Sequence, residues 1–374
     1  MRLVLSAILA LTLIASATAQ APRAVNDAAI LAQNPPRTLS EYHLFSDARA
    51  REPNARVTPY ALNTELYSDG ALKFRYVYLP EGQYARYSPD EVFDFPVGTV
   101  LIKTFAFAAD MRRPTENVRF LETRLLIRRP EGWIALPYVW NEAQTEARLS
   151  VIGAQVPVSF TNEQGAAIAL DWAVPNVNQC RGCHARAGGN DVLPIGPSAR
   201  NLNVPEFYLI VSSGPRQGGP SSRQALNLLN GWTFDGLLSG APRAADAPRV
   251  PNAYDSSAPL EQRARAYLDV NCAHCHNPAG PAHTSGLDLR WSQTDPALWG
   301  VRKRPVAAGR GSAGFEFAIE PGHPERSILL HRMASTDPGV MMPELGRQLV
   351  DARAVALMRE WIAGMDAEGR SGAQ

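Results

Sequence analysis

The chain has 374 residues, and its 37 basic and 36 acidic side chains nearly cancel, so no basic field points to nucleic acid or to an anionic membrane. Apolar residues make up 45%, which argues against disorder, while 30 prolines and 28 glycines mark a turn-rich chain. The first residues, "MRLVLSAILALTLIASATAQ", begin with Arg2, continue in a short apolar run and end in an A-x-A site at Ala17–Ala19. That pattern predicts a signal peptide over 1–19, an exported, periplasmic mature chain and no membrane span after cleavage. Residues 20–56 read as an irregular lead-in. Over 57–172 the apolar period is two: "LKFRYVYL" sets Leu72, Phe74, Tyr76 and Tyr78 on one face. "GTVLIKTFAF" sets Leu101, Lys103, Phe105 and Phe107 opposite Val100 and Ile102. Short strands at this spacing predict an antiparallel β domain, sandwich or barrel. Residues 173–255 are loop-rich, with one helix expected at "SSRQALNLLNGW", capped by Ser221 or Ser222. From 256 to 366 the texture is helical, with a serine cap and Pro259 opening "SAPLEQRARAYLDVNCAHCH", then "PERSILLHRM", then "DARAVALMREWIAGM". Residues 367–374 are a tail. The predicted class is α+β.

All four cysteines fall in two copies of one pattern, "CRGCH" at 180–184 and "CAHCH" at 272–276. In a C-x-x-C-H motif two sulfurs, one turn apart, add to the two vinyl groups of haem, and the next histidine offers an axial nitrogen to iron. Cys180, Cys183 and His184 are thus expected to hold one c-type haem, and Cys272, Cys275 and His276 a second. A four-cysteine zinc site and a thioredoxin-like dithiol compete for these residues, but neither calls for the histidine that follows both pairs.

The loop "GVMMPELGR" offers a soft thioether to the second iron, with Met342 chosen over its neighbour Met341. A pair of core methionines is the plain alternative. Arg310, in the glycine-rich "VAAGRGSAG", is a candidate partner for a haem propionate. Trp232 and Trp361 are candidates to pack on a porphyrin edge. No methionine lies between His184 and the second motif, and the only histidine before Cys275 there is His274. A distal ligand for the first iron must come from His43, Met111, His283, His323, His331 or Met333, or the iron keeps an open face.

Residues 256–366 resemble a class I cytochrome c domain: a helix running into C-x-x-C-H, a methionine–proline loop, and a last helix carrying Trp361. Nearly the whole mature chain resembles a family of exported bacterial dihaem c-type cytochromes. "LNTELYSDGALKFRYVYLPEG", "FPVGTVLIKTFAF", "PYVWNEAQTEA", "NQCRGCH", "PIGPSARNLN", "ARAYLDVNCAHCHNPAGPAHTSGL", "PVAAGRG" and "STDPGVMMPELGR" all read like its blocks. "FPVGTVLIKTF" also has a fainter likeness to β-rich monohaem cytochromes crosslinked through a lysine, where Lys103 is the matching residue. The resemblance implies a periplasmic carrier moving electrons between redox partner proteins. The rival expectation is a haem enzyme, peroxidase- or oxidase-like, or a gas-binding protein, using an open first haem fed by the second.

Overall fold

The computed structural model describes residues 24–47, 52–186, 188–189, 191–205, 227–366 and 368–370. The expected signal peptide and the Ser221/Ser222 cap lie outside them. Six strands form an antiparallel meander in chain order: β1 Val57–Tyr60, β2 Leu72–Tyr78, β3 Val100–Ala108, β4 Val118–Arg129, β5 Gly132–Trp140 and β6 Ala147–Leu149. The sheet is open rather than closed into a barrel, since β1 and β6 are its edges. A separate hairpin, β7 Ala154–Thr161 and β8 Ala167–Val174, packs on part of one face.

Strand alternation divides the sheet's side chains as the pattern demands. Tyr76, Tyr78, Val100, Ile102, Leu125 and Tyr138 share one core with Ile30, Leu39, Tyr42 and Leu44. The lead-in is therefore not a bare connector; it covers this face. Its tyrosine Tyr42 meets Tyr138 hydroxyl to hydroxyl at 3.0 Å. The other face carries two clusters. Phe105, Phe107 and Leu121 pack under the hairpin with Phe160 and Trp172. Val77 and Leu101 pack with Phe93, Phe95, Leu229 and Trp232.

Five helices matter for the site. The first, α1, spans Val177–His184. The second, α2, spans Leu228–Phe234 and is capped by Asn227, whose side chain accepts from Leu229 and Asn230 amides. The third, α3, spans Leu260–Asn271; Pro259 itself stands at its cap position, and no serine side chain caps it. Next come α4, Ile328–Ala334, and α5, Ala352–Ala363, whose cap Asp351 accepts from the Ala354 amide. Helices α3, α4 and α5 bury Tyr267, Leu268, Leu330, Met333, Leu357, Met358, Trp361 and Ile362 together. At about 1.5–3 kcal/mol per buried side chain, this cluster is the main stabilising term of the helical half.

The segment before β2 joins the two halves. The Tyr67 amide donates to Asn271 Oδ1 at 2.7 Å, and Asp69 Oδ1 accepts from the amides of Gln348 and Leu349 at 2.7 and 2.6 Å. Arg200 grips the buried Asp269 of α3 through Nε and Nη2 at 2.7 and 3.0 Å. Among the described residues, no helix is long and apolar enough to cross a membrane.

Candidate functional site: two adjoining C-x-x-C-H motifs

The first motif is the second half of α1. Asn176 caps this helix by accepting from the amides of Asn178 and Gln179, and Gln179 Oε1 accepts from the Asn176 amide at 2.9 Å. This capping box fixes where the helix starts. It thereby sets Cys180, Cys183 and His184 on consecutive turns.

The second motif follows α3 directly. Cys272 is the helix cap, and the Cys275 and His276 amides fold back onto the Cys272 carbonyl at 3.1 and 2.9 Å. Gly280 permits the return of the chain, since a Cβ there would stand 2.2 Å from the Cys275 carbonyl oxygen.

Both histidines have one tautomer imposed on them. His184 Nδ1 lies 2.5 Å from the Leu193 carbonyl oxygen, which only accepts, so Nδ1 carries the proton. His276 Nδ1 lies 2.9 Å from Ser285 Oγ, whose own hydrogen is donated to the Ala282 carbonyl at 2.7 Å. Nδ1 is again the donor, and each Nε2 keeps its lone pair. Burial pushes both imidazoles down to about 4, so both are neutral at neutral pH. This is the arrangement of a metal-ligating histidine with its outer partner in place.

The two motifs meet. Ligand atoms of Cys183, His274 and Cys275 all lie within 4.8 Å of one another, and Cys275 Sγ sits 3.9 Å from the Gly182 carbonyl. The neighbouring Cys183 and Cys275 thiols act on each other: Cys183 is held well below the usual thiol range, with His274 adding to the effect, while Cys275 is pushed up. Burial pushes Cys272 up to about 12. Among the described residues this is the one group of three soft donors, and a structural zinc takes four. The four sulfurs do not converge, which weighs against the four-cysteine zinc arrangement.

Beside the second motif lies a cavity of about 260 Å³ whose lining includes Cys272, His276 and Met342. Leu287, Leu289, Ile319 and Trp299 give it apolar walls. A sulfur for a thioether, an imidazole and a thioether ligand thus reach one apolar space from two distant stretches of chain. That donor set fits a c-type haem. Met341 is buried but is not part of the lining, whereas Met333 is.

The loop bearing Met342 is held by a residue that sequence reasoning missed. Arg347, 6% exposed, donates to the carbonyls of Met342 at 2.8 Å, Ser335 at 2.9 Å and Leu349 at 3.3 Å. Arg332 adds a bond from Nε to the Val340 carbonyl at 2.8 Å, and its own carbonyl receives the Met342 amide at 3.0 Å. An arginine in "PELGR" looks like any surface charge until the chain wraps around it.

Other expected site residues fall elsewhere. Arg310 pairs with Asp337 at 2.8 Å on the surface and does not line the cavity. The cations on the lining are Lys303, Arg304, Arg332 and Arg347. Trp232 and Trp361 are core residues, 1% and 0% exposed, and Trp299 is the tryptophan on the cavity. Of the distal candidates for the first iron, His43 contacts the Ala24 carbonyl in the lead-in, and Met111 is buried beneath the hairpin. His283 bonds to Gly280, His323 pairs with Glu325, and His331 meets the Phe315 ring edge-on. Helix α1 packs against β5, and Arg124 of β4 interacts electrostatically with both Cys180 and Cys183.

Comparison of the chain with protein-family models, with curated proteins and with solved structures finds no match.

Proposed function

We propose that this protein is an exported dihaem c-type cytochrome that carries electrons between redox partner proteins. The observation that carries this reading is the meeting of the two C-x-x-C-H motifs, with Cys183 and Cys275 in one cluster and Cys272, His276 and Met342 on one cavity. A bound haem supplies one-electron chemistry at each motif. Cys180, Cys183, Cys272 and Cys275 would anchor the groups, and His184 and His276 would each present Nε2. Met342 would complete the second site in the manner of a class I cytochrome c domain, and a methionine opposite histidine raises the potential, as a carrier requires. Adjacent attachment edges let an electron pass between the two centres without leaving the protein. The test is the mass of the denatured protein purified from a host with haem-attachment machinery: two haems per chain are expected, and fewer would refute the reading.

A second reading follows from the distal side of the first motif. His43, His283, His323 and His331 are each engaged with residues other than His184, Met111 packs under the hairpin and Met333 lines the second motif's cavity, and we infer from this an open first iron, reactive or gas-binding, fed by the second. Carbon monoxide added to the reduced protein would bind one haem per chain on that reading and none on a closed one.

A further inference from the structure

The cavity beside Cys272, His276 and Met342 has two borders that differ in what covers them. One belongs to the first motif. Cys275 Sγ lies 3.9 Å from the Gly182 carbonyl oxygen and within 4.8 Å of the Cys183 sulfur. Leu345, two residues past the cavity-lining Pro343, lies against Gly182, where a Cβ would stand 3.3 Å from Leu345 Cδ1. The chain itself occupies this border.

The other border is one layer of chain thick. Residues 303–308 line the cavity in an unbroken run, and Arg304, Pro305, Val306 and Ala307 of that run are exposed. Val306 is 67% exposed, an apolar side chain standing in water beside an apolar space. The run also reaches the second motif. Lys303 Nζ stands over Gly286, 3.0 Å from where a Cβ would be, and Gly286 follows Ser285, whose hydroxyl accepts from His276.

The charge of this segment is one-sided. Arg302, Lys303, Arg304 and Arg310 fall within nine residues, and no Asp or Glu occurs from 302 to 315, in a chain whose charges otherwise nearly cancel. Glu316 answers Arg304 and Asp337 answers Arg310, but Arg302 and Lys303 make no ion pair among the described residues. Cations around an exposed apolar centre suit a transient encounter: the charge steers the partner and the apolar centre makes the contact.

We propose that segment 302–310 is the docking surface for an acidic redox protein, and that electrons pass there between that partner and the second haem. The inference rests on the dihaem reading and adds where the partner sits and what charge it carries. One electron crosses at each encounter, and no bond forms or breaks.

The test uses the haem-loaded full chain, with ferricyanide as an anionic oxidant, tris(phenanthroline)cobalt(III) as a cationic one and poly-L-glutamate as an acidic macromolecule. Stopped-flow absorbance follows oxidation of the reduced protein. The double variant Arg302→Glu, Arg304→Glu should slow ferricyanide several-fold at low ionic strength and leave the cobalt complex as fast or faster. Val306→Asp should act in the same direction. Both effects should vanish at about 1 M salt, where the Debye length is about 3 Å. In the wild type, poly-L-glutamate should protect the amides of 302–310 from hydrogen exchange, a measurement that needs no variant. Unchanged rates in both variants would overturn the proposal, as would protection confined to other surfaces. So would an equal loss in Arg181→Glu, which stands in the first motif and would place the docking surface at the other centre. Fewer than two haems in the wild type would instead defeat the dihaem reading, and the exchange measurement would still decide whether the segment binds an acidic chain.

Discussion

The first C-x-x-C-H motif ends a helix on which Cys180, Cys183 and His184 are only half-buried and feel the sheet cations Lys103 and Arg124, whereas the second ends a helix whose last eight residues are buried and opens onto an apolar cavity. The same five-residue pattern therefore sits in two opposite environments. Around Cys272 and His276 the chain supplies a thioether, apolar walls and an arginine-tied loop. Around Cys183 and His184 it supplies cations and a backbone carbonyl for the imidazole. A motif sets how a haem is attached; its surroundings set the dielectric, the second ligand and the access, and so the potential and reactivity.

The largest effect that would break this comparison comes from the anchors. Cys180→Ala and Cys272→Ala should each abolish or sharply reduce haem attachment at their own motif only, read as loss of one haem mass from the denatured chain. Crossed losses would mean that the two sites are not independent.

Next comes the thioether. Met342→Ala should remove the near-infrared charge-transfer band of an oxidised His/Met haem and lower the second midpoint, since methionine favours the reduced metal. Met341→Ala should leave the band intact. Survival of the band in Met342→Ala with its loss in Met333→Ala would shift the ligand to α4, whose Met333 also lines the cavity.

The loop's anchor should be felt in stability. Arg347→Met strips the buried donor from several carbonyls, and leaving such acceptors unpaired costs on the order of 3 kcal/mol. Denaturant titration measures it. The His/Met band should also fade at a lower temperature than in the wild type, while spectra of the first haem hold.

The smallest effect concerns acid. Burial alone would raise the Glu65 carboxyl, but Arg75 and Lys73 outweigh it and hold it down to about 2, against an ordinary value of 4.5. Such a depressed carboxylate stabilises the fold above pH 4.5, and the contribution fades as pH falls from there toward 2. Glu65→Gln should flatten the pH dependence of unfolding in that window, by a modest amount because the side chain is half exposed.

Much of this was legible from residue order. Alternation in "LKFRYVYL" and "GTVLIKTFAF" predicts the two faces of β2 and β3 as found, because a half-buried strand must separate its side chains. Helical spacing predicts α3, α4 and α5. The α+β class and the sheet-rich amino-terminal half follow from those two periods. The lead-in was not legible, since its residues pack only once a sheet face exists to receive them. Nor were the partners of the site: Leu193 and Ser285 act through one hydrogen bond each to a ring nitrogen and Arg347 through several to backbone carbonyls, and such bonds leave no period and no motif. The row of Arg75, Lys103 and Arg124 becomes visible only when strand register lays three distant segments side by side.

In the proposed dihaem protein one motif would build two unlike centres. Near-infrared magnetic circular dichroism of the oxidised protein, with haem counted on the same sample, tests it most directly. We expect the methionine-to-iron band at the intensity of one haem out of two. Two equivalent His/Met bands, or none, would contradict the account.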